Sequence, residues 1–131
     1  MAESRPVAVV VGVGAGLGAA LARRFAEKYA VALVARSDDV TSALAKEIRA
    51  AGGVALPVRS DAAVAAQVAG AYQQIRKELG TPDVLIYNGG RRPFGTLVDT
   101  TPEVFEETWR GHTLGAFLWS RQVVPAMIER Q

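Results

Sequence analysis

From Val9 to Ala20 the chain reads Val-Val-Val-Gly-Val-Gly-Ala-Gly-Leu-Gly-Ala-Ala. A β-branched run stops in glycines, and a helical pattern starts before the glycines have ended. Strand, glycine turn and helix in this order gather uncovered backbone N–H groups at the positive end of a helix dipole. That is the chemistry of phosphate binding. The first candidate residues, Gly12, Gly14, Ala15, Gly16, Leu17 and Gly18, would act mainly through their main chain. Reactive side chains are scarce. Cysteine is absent and His112 is the single histidine, which excludes disulfides, thiolate sites, cysteine nucleophiles and multi-histidine metal centres. No metal site is expected.

The elements that would position this stretch follow from periodicity. Val7 to Val11 is continuously apolar, as in a strand buried on both faces. Leu17, Leu21 and Phe25 recur every four residues and predict an amphipathic helix with these three on its buried face. Ala30 to Ala35 is a second buried strand. Ser37 to Asp39 offer N-caps for a helix carrying Val40, Leu44 and Ile48, ended by Gly52-Gly53. Val54 to Val58 is a third strand. Asp61 is placed to open and cap an alanine-rich helix running through Val64, Val68, Tyr72, Ile75 and Leu79. Asp83 to Tyr87 is a fourth strand, ended by Asn88-Gly89-Gly90. After a turn-rich loop from Arg91 to Thr100, Thr101 and Pro102 suit an N-cap and first helical position. The remainder is helical, in two pieces broken near Gly111 or Gly115, with a kink or frayed turn at Pro125. Strands alternating with helices predict a doubly wound parallel α/β sheet in one domain spanning residues 1–131.

Composition narrows the classes. Of 131 residues half are apolar and 21% charged, with a formal charge of +2, the balance of a globular domain. Arginines are scattered, with short pairs at Arg23-Arg24 and Arg91-Arg92 and no basic block of the kind that tracks nucleic acid. Val7 to Ala22 carries no charge, and its glycines match the spacing of membrane-helix dimers. The segment is nonetheless too short to span a bilayer comfortably. No signal-peptide pattern opens the chain, and the lack of cysteine fits a reducing compartment. A cytoplasmic protein is expected, with neither nucleic acid nor membrane as partner.

The glycines fit three registers. Gly14-x-Gly16-x-x-Ala19 matches the common dinucleotide fingerprint but begins too far beyond Val11. Gly12-x-Gly14-x-Gly16 is similar to the first motif of S-adenosylmethionine-dependent methyltransferases, whose two usual acids are replaced here by Val10 and Ala35. Gly12-x-x-x-Gly16-x-Gly18 starts directly at the strand end and resembles the glycine motif of short-chain dehydrogenases/reductases. The likeness continues through Ala35-Arg36-Ser37, Asp61, Tyr87-Asn88-Gly89-Gly90 (where that family typically has Asn-Asn-Ala-Gly) and Trp109 with Gly115-Ala116-Phe117. It covers nearly the whole chain.

The resemblance implies a Rossmann-type sheet of strand order 3-2-1-4, cut before the fifth strand, and a nicotinamide dinucleotide as cofactor. Charge then favours NADP over NAD. An acid closing the second strand would bind ribose hydroxyls and repel a 2′-phosphate. Here Ala35 is neutral, the Arg36 guanidinium can grip a phosphate, and Ser37 can add a hydroxyl. Asp38 and Asp39 also fall about where a ribose acid is counted, although helix capping explains them more simply. The resemblance further implies that Asp61, with Ala62 beside it, binds the adenine amino group. Asn88, Gly89 and Gly90 would lie under the inner ribose, or simply form a turn.

In the family a serine, a tyrosine and a lysine four residues after that tyrosine move the proton, supported by an asparagine three residues before the position of Gly115. That position holds His112, which is either a substituted relay or a lone helix histidine. Tyr29, Tyr72 and Tyr87 have no lysine at the required spacing, and Ser120 reads as a helix-surface hydroxyl. The resemblance therefore implies the NADP-binding portion of an oxidoreductase acting on a small carbonyl or alcohol, its triad lying beyond this chain. The alternatives are a non-catalytic nucleotide-binding or oligomerisation module and, remotely, a methyltransferase. Four strands leave the fourth as an open edge, and Trp109, Phe117, Leu118 and Trp119 exceed what one small sheet can bury. Both features predict a homo-oligomer formed through the C-terminal helix.

Overall fold

The computed structural model describes residues 4–90, 93 and 95–131. The Arg91-Arg92 pair and part of the loop after the fourth strand lie outside them. Four strands, β1 (Val7–Val11), β2 (Ala30–Ala35), β3 (Val54–Arg59) and β4 (Pro82–Tyr87), alternate with α1 (Leu17–Ala26), α2 (Asp39–Ala50) and α3 (Ala65–Glu78). After β4 come α4 (Pro102–Trp109), a π-helical turn (Arg110–Leu114) and α5 (Gly115–Arg130). All strand pairs are parallel and the sheet order is β3-β2-β1-β4, the doubly wound arrangement read from the sequence. Pro57, which cannot donate to a ladder, sits on the outer strand β3.

The uninterrupted apolar runs of β1 and β2 are explained by burial on both faces. Val9, Val11, Ala32 and Val34 pack with Val68, Tyr72 and Ile75 of α3 and Trp119 and Val123 of α5. Val10, Val31 and Leu33 face Ala19, Ala22 and Ala26 of α1 and Leu44, Ala45 and Ile48 of α2. Each fully buried valine or leucine contributes about 1.5–3 kcal/mol, so the two central strands anchor both layers.

The buried face of α1 departs from the expectation. Leu17 is 64% exposed, and Leu21 and Phe25 are only partly buried. The helix meets the sheet instead through Gly18, Ala19, Ala22 and Ala26. Small residues win because α1 follows the glycine turn with no intervening loop and must lie close to it. A Cβ on Gly18 would collide with the Gly12 carbonyl oxygen and lie 2.9 Å from Val13 Cα.

Two helix starts also differ. Asp61 does not cap α3, which begins four residues later with Val64 at the N-cap position. Its carboxylate instead accepts from the Ala63 N–H at 2.9 Å, closing a local turn. At α2 the N-cap position is Asp38, but its side chain makes no capping hydrogen bond. Thr101 does cap α4, accepting from Val104 N–H at 3.2 Å. The break expected near Gly111 or Gly115 is a widened turn rather than an interruption, and α5 continues through Pro125 to Arg130.

The α1 contact yields a signed prediction. Alanine ordinarily favours a helix interior over glycine by about 1 kcal/mol. At Gly18 the obstructing atoms are backbone, so an overpacking cost of about 1–3 kcal/mol or more should prevail. Gly18→Ala should lower unfolding stability in a denaturant titration, whereas Gly16→Ala, whose Cβ would meet nothing within 4 Å, should not.

A candidate nucleotide-binding cleft at the carboxyl ends of the strands

The glycine turn is fixed from three sides. Gly12 N–H and Val13 N–H both donate to the Val34 carbonyl of β2, at 2.9 and 3.1 Å. Asn88 N–H donates to the Val11 carbonyl at 2.8 Å, and Asn88 Nδ2 donates to the Gly12 carbonyl at 3.2 Å. Gly12 has φ +89° and abuts the Asn88 peptide so closely that no Cβ would fit. Only glycine meets both demands. Beyond it, Gly14, Ala15, Gly16 and Leu17 are exposed, a Cβ on Gly14 or Gly16 would enter open space, and α1 has no side-chain N-cap. The first amides of that helix are thus bare, and the dipole favours an anion there.

This turn forms one side of a cleft of about 1150 Å³. The cleft runs across the carboxyl ends of all four strands and gathers Gly12, Gly14, Arg36, Ser37, Asp61, Ala62, Asn88, Gly89 and Gly90. Ala15, Gly16, Leu17, Gly18 and His112 are not part of its lining. Gly18 is buried under the turn, while Gly16 and Leu17 lie at the exposed start of α1. Sequence reasoning missed the opposite wall, Val104, Glu107, Thr108, Arg110 and Gly111. It located α4 but held no signal for where that helix crosses the sheet. It also missed Ser60, 2% exposed with a hydroxyl that has no hydrogen-bond partner. Among the described residues no group of three or more potential metal-ligating side chains occurs.

Tyr87, Gly89 and His112, which stand where the resembling family carries other residues, belong to one packing unit. The Tyr87 hydroxyl donates to the Gly111 carbonyl inside the π turn, where the widened helix leaves carbonyls to be satisfied from outside. A Cβ on Gly89 would lie 2.7 Å from that hydroxyl, and one on Gly115 would collide with it. The phenol thus occupies space that two glycines leave empty. Gly90, at φ +112°, packs against the His112 ring, which a Cβ would approach to 2.5 Å. Burial, and secondarily the negative charge of Asp61, pushes the Tyr87 pKa above its ordinary value near 10.

A parallel sheet with a glycine turn feeding a bare helix N-terminus, and a cleft over its strand ends, defines an open-sheet α/β protein of nucleotide-binding type. The chain belongs to the short chain dehydrogenase family: the family model of that description matches residues 6–131. A short chain dehydrogenase of Pseudocercospora fijiensis is 35% identical over 128 residues, covering 95% of this chain and 41% of the relative. Among solved structures, an actinorhodin polyketide ketoreductase variant with NADPH superposes with a TM-score of 0.91 at 29% identity. The match covers 99% of this chain and 51% of the other. The L-sorbose reductase of Gluconobacter frateurii, complexed with NADPH and L-sorbose, gives 0.89 at 30% identity, over 97% and 49% of the two chains. The chain spans about half the length of these proteins or less.

The Tyr87 contact is testable through pH. Below the ordinary tyrosine pKa the hydroxyl is neutral in both folded and unfolded chains, and its contribution is fully present. As pH rises from about 10 towards the raised folded value the unfolded chain loses its proton first, and stability falls. Tyr87→Phe should cost about 1–2 kcal/mol at neutral pH through the unpaired carbonyl. It should also remove this residue's share of the alkaline loss, read from urea unfolding at neutral pH and again above the ordinary tyrosine pKa of about 10.

Proposed function

We propose that residues 1–131 form a single domain, the NADP-binding portion of a short chain dehydrogenase-type oxidoreductase. The observation that carries this reading is that the glycine turn of Gly12 and Gly14, which leads into the uncapped start of α1, lines the same cleft as Arg36. Among the described residues Arg36 has no carboxylate partner. The dimensions and donors suit a dinucleotide. The main chain of Gly12, Gly14, Ala15, Gly16 and Leu17 would bind the pyrophosphate, with Gly18 allowing α1 its close approach. Arg36 and Ser37 would hold the 2′-phosphate. Asp61 and Ala62 would meet the adenine, and Asn88, Gly89 and Gly90 would support the inner ribose. NADPH and NADP complexes among the structural relatives support the same choice.

The bound cofactor would supply hydride transfer to or from a small carbonyl or alcohol carbon. Proton transfer is assigned to residues outside this chain, since no tyrosine here carries a lysine four residues on. His112, beside Gly90, is proposed as a relay to that centre. A cytoplasmic location is part of the reading, on the cysteine-free composition; among the described residues no helix is long and apolar enough to cross a membrane. NADPH should bind this chain without carbonyl reduction. Arg36→Ala should weaken NADPH by about tenfold or more, the worth of a charge-assisted phosphate contact, and NADH little. Equal weakening of both would overturn the NADP assignment.

The reading as an oligomerisation module has its own support. Phe105, Trp109, Phe117, Val124 and Ile128 are all exposed on α4 and α5, and large apolar side chains gathered on exposed helices suit an association surface. The buried Trp119 and partly buried Leu118 account for the rest of the aromatic-rich segment. We therefore propose self-association through α5. Sedimentation velocity of the isolated chain should show species heavier than a monomer, with Phe117→Glu shifting the distribution towards the monomer.

A further inference from the structure

Arg59 is a second exposed guanidinium beside the segment that carries Arg36, next to Ser60 of the cleft lining although not itself part of that lining. The β2–β3 register sets Arg59 opposite Ala35, so the last residue of β3 stands beside the chain as it leaves β2. Arg59 Nε donates to the Arg36 carbonyl at 3.1 Å, and the adjacent Ser60 N–H donates to the Ala35 carbonyl at 2.9 Å. Two successive donors thus strap the start of the loop that carries Arg36. Arg59 keeps both Nη groups clear of any protein acceptor among the described residues. It also has no carboxylate partner there, although Asp38, Asp39 and Asp61 are close in sequence to this rim. Arg23, Arg24, Arg110 and Arg130 are paired with Glu47, Glu27, Glu106 and Asp83, whereas Arg5 and Arg49, like Arg59, donate to backbone carbonyls.

We infer that Arg59 is a second specificity determinant for a ribose 2′-phosphate, acting as a positioning residue for Arg36 and completing a two-arginine clamp. A phosphate monoester carries a charge of about −1.5 to −2 near neutral pH, more than one guanidinium neutralises. Two exposed cationic side chains on adjacent segments, neither paired with an acid among the described residues, gain most from a ligand that brings the extra phosphate charge. The strap to the Arg36 carbonyl limits the conformations this loop must lose on binding. The inference rests on the dinucleotide reading of the cleft.

The test uses 2′,5′-ADP and 5′-ADP, titrated calorimetrically into the unaltered chain and into Arg36→Ala, Arg59→Ala, Arg59→Lys and the double alanine variant. Far-UV circular dichroism controls for folding. Arg59→Ala should weaken 2′,5′-ADP by about tenfold, the loss expected for a charge-assisted contact, and leave 5′-ADP within about twofold. Arg59→Lys, which keeps the charge but not the Nε strap, should recover only part of that loss. The double variant should lose less than the product of the single losses, because both side chains act on one phosphate. Equal weakening of both probes by Arg59→Ala, full recovery by lysine, or no effect would overturn the clamp while leaving the cleft assignment standing. An unaltered chain that binds neither probe would overturn both.

Discussion

Three backbone segments meet at Gly12, and the geometry of the cleft depends on that meeting. The turn after β1 touches the Asn88 peptide at the end of β4, carries α1 against its own carbonyl through Gly18, and hangs from the Val34 carbonyl of β2. No side chain fits at Gly12 or at Gly18. Their absence lets the bare start of α1 lie over the strand ends rather than beside them. Hydrogen bonding to β2 and β4 satisfies the inner side of the turn, and α1 beyond it starts without a side-chain cap.

A second unit, around Tyr87, sets the opposite end. Its hydroxyl meets the carbonyl of Gly111 in a π turn, and the ring fits because Gly89 and Gly115 lack a Cβ. Tyr87 and Gly89 are departures from the family pattern when considered singly. Packed together they compensate, a larger residue on β4 being accommodated by a smaller one two positions on. The π turn then sets His112 against Gly90, and Arg110 and Gly111 enter the cleft wall from the same turn.

Apart from the cleft, the surface of α4 and α5 is unlike that of the other helices. Leu17 apart, the large apolar residues of α1, α2 and α3 are at least partly buried in the two core layers, whereas Phe105, Trp109, Phe117 and Ile128 face outwards. Strand β4 stands at the sheet edge, and α4 carries both a wall of the cleft, through Val104, Glu107 and Thr108, and the exposed Phe105 and Trp109.

The strands, their parallel arrangement, the glycine turn and the start of α4 were legible in the sequence because each rests on local physics: continuous apolar runs, glycines at a strand end, a Thr-Pro helix start. The register starting at Gly12 follows from its position directly after Val11, and the Gly12 and Gly18 contacts give it a steric reason. Other features depend on partners distant in sequence. The alanine face of α1, the wall contributed by Arg110 and Thr108, and the pairing of Arg59 with the Arg36 carbonyl are set by how helices and strands approach one another. Periodicity within a segment carries no record of that approach. Asp61 shows the same limit: its spacing suited a helix cap, but the helix begins later and the carboxylate closes a turn on the cleft rim. The sequence by itself determined where the glycine turn would fall between the first strand and the first helix. Only the tertiary structure decided which side chains surround it, because side chains converge across the sheet and not along the chain.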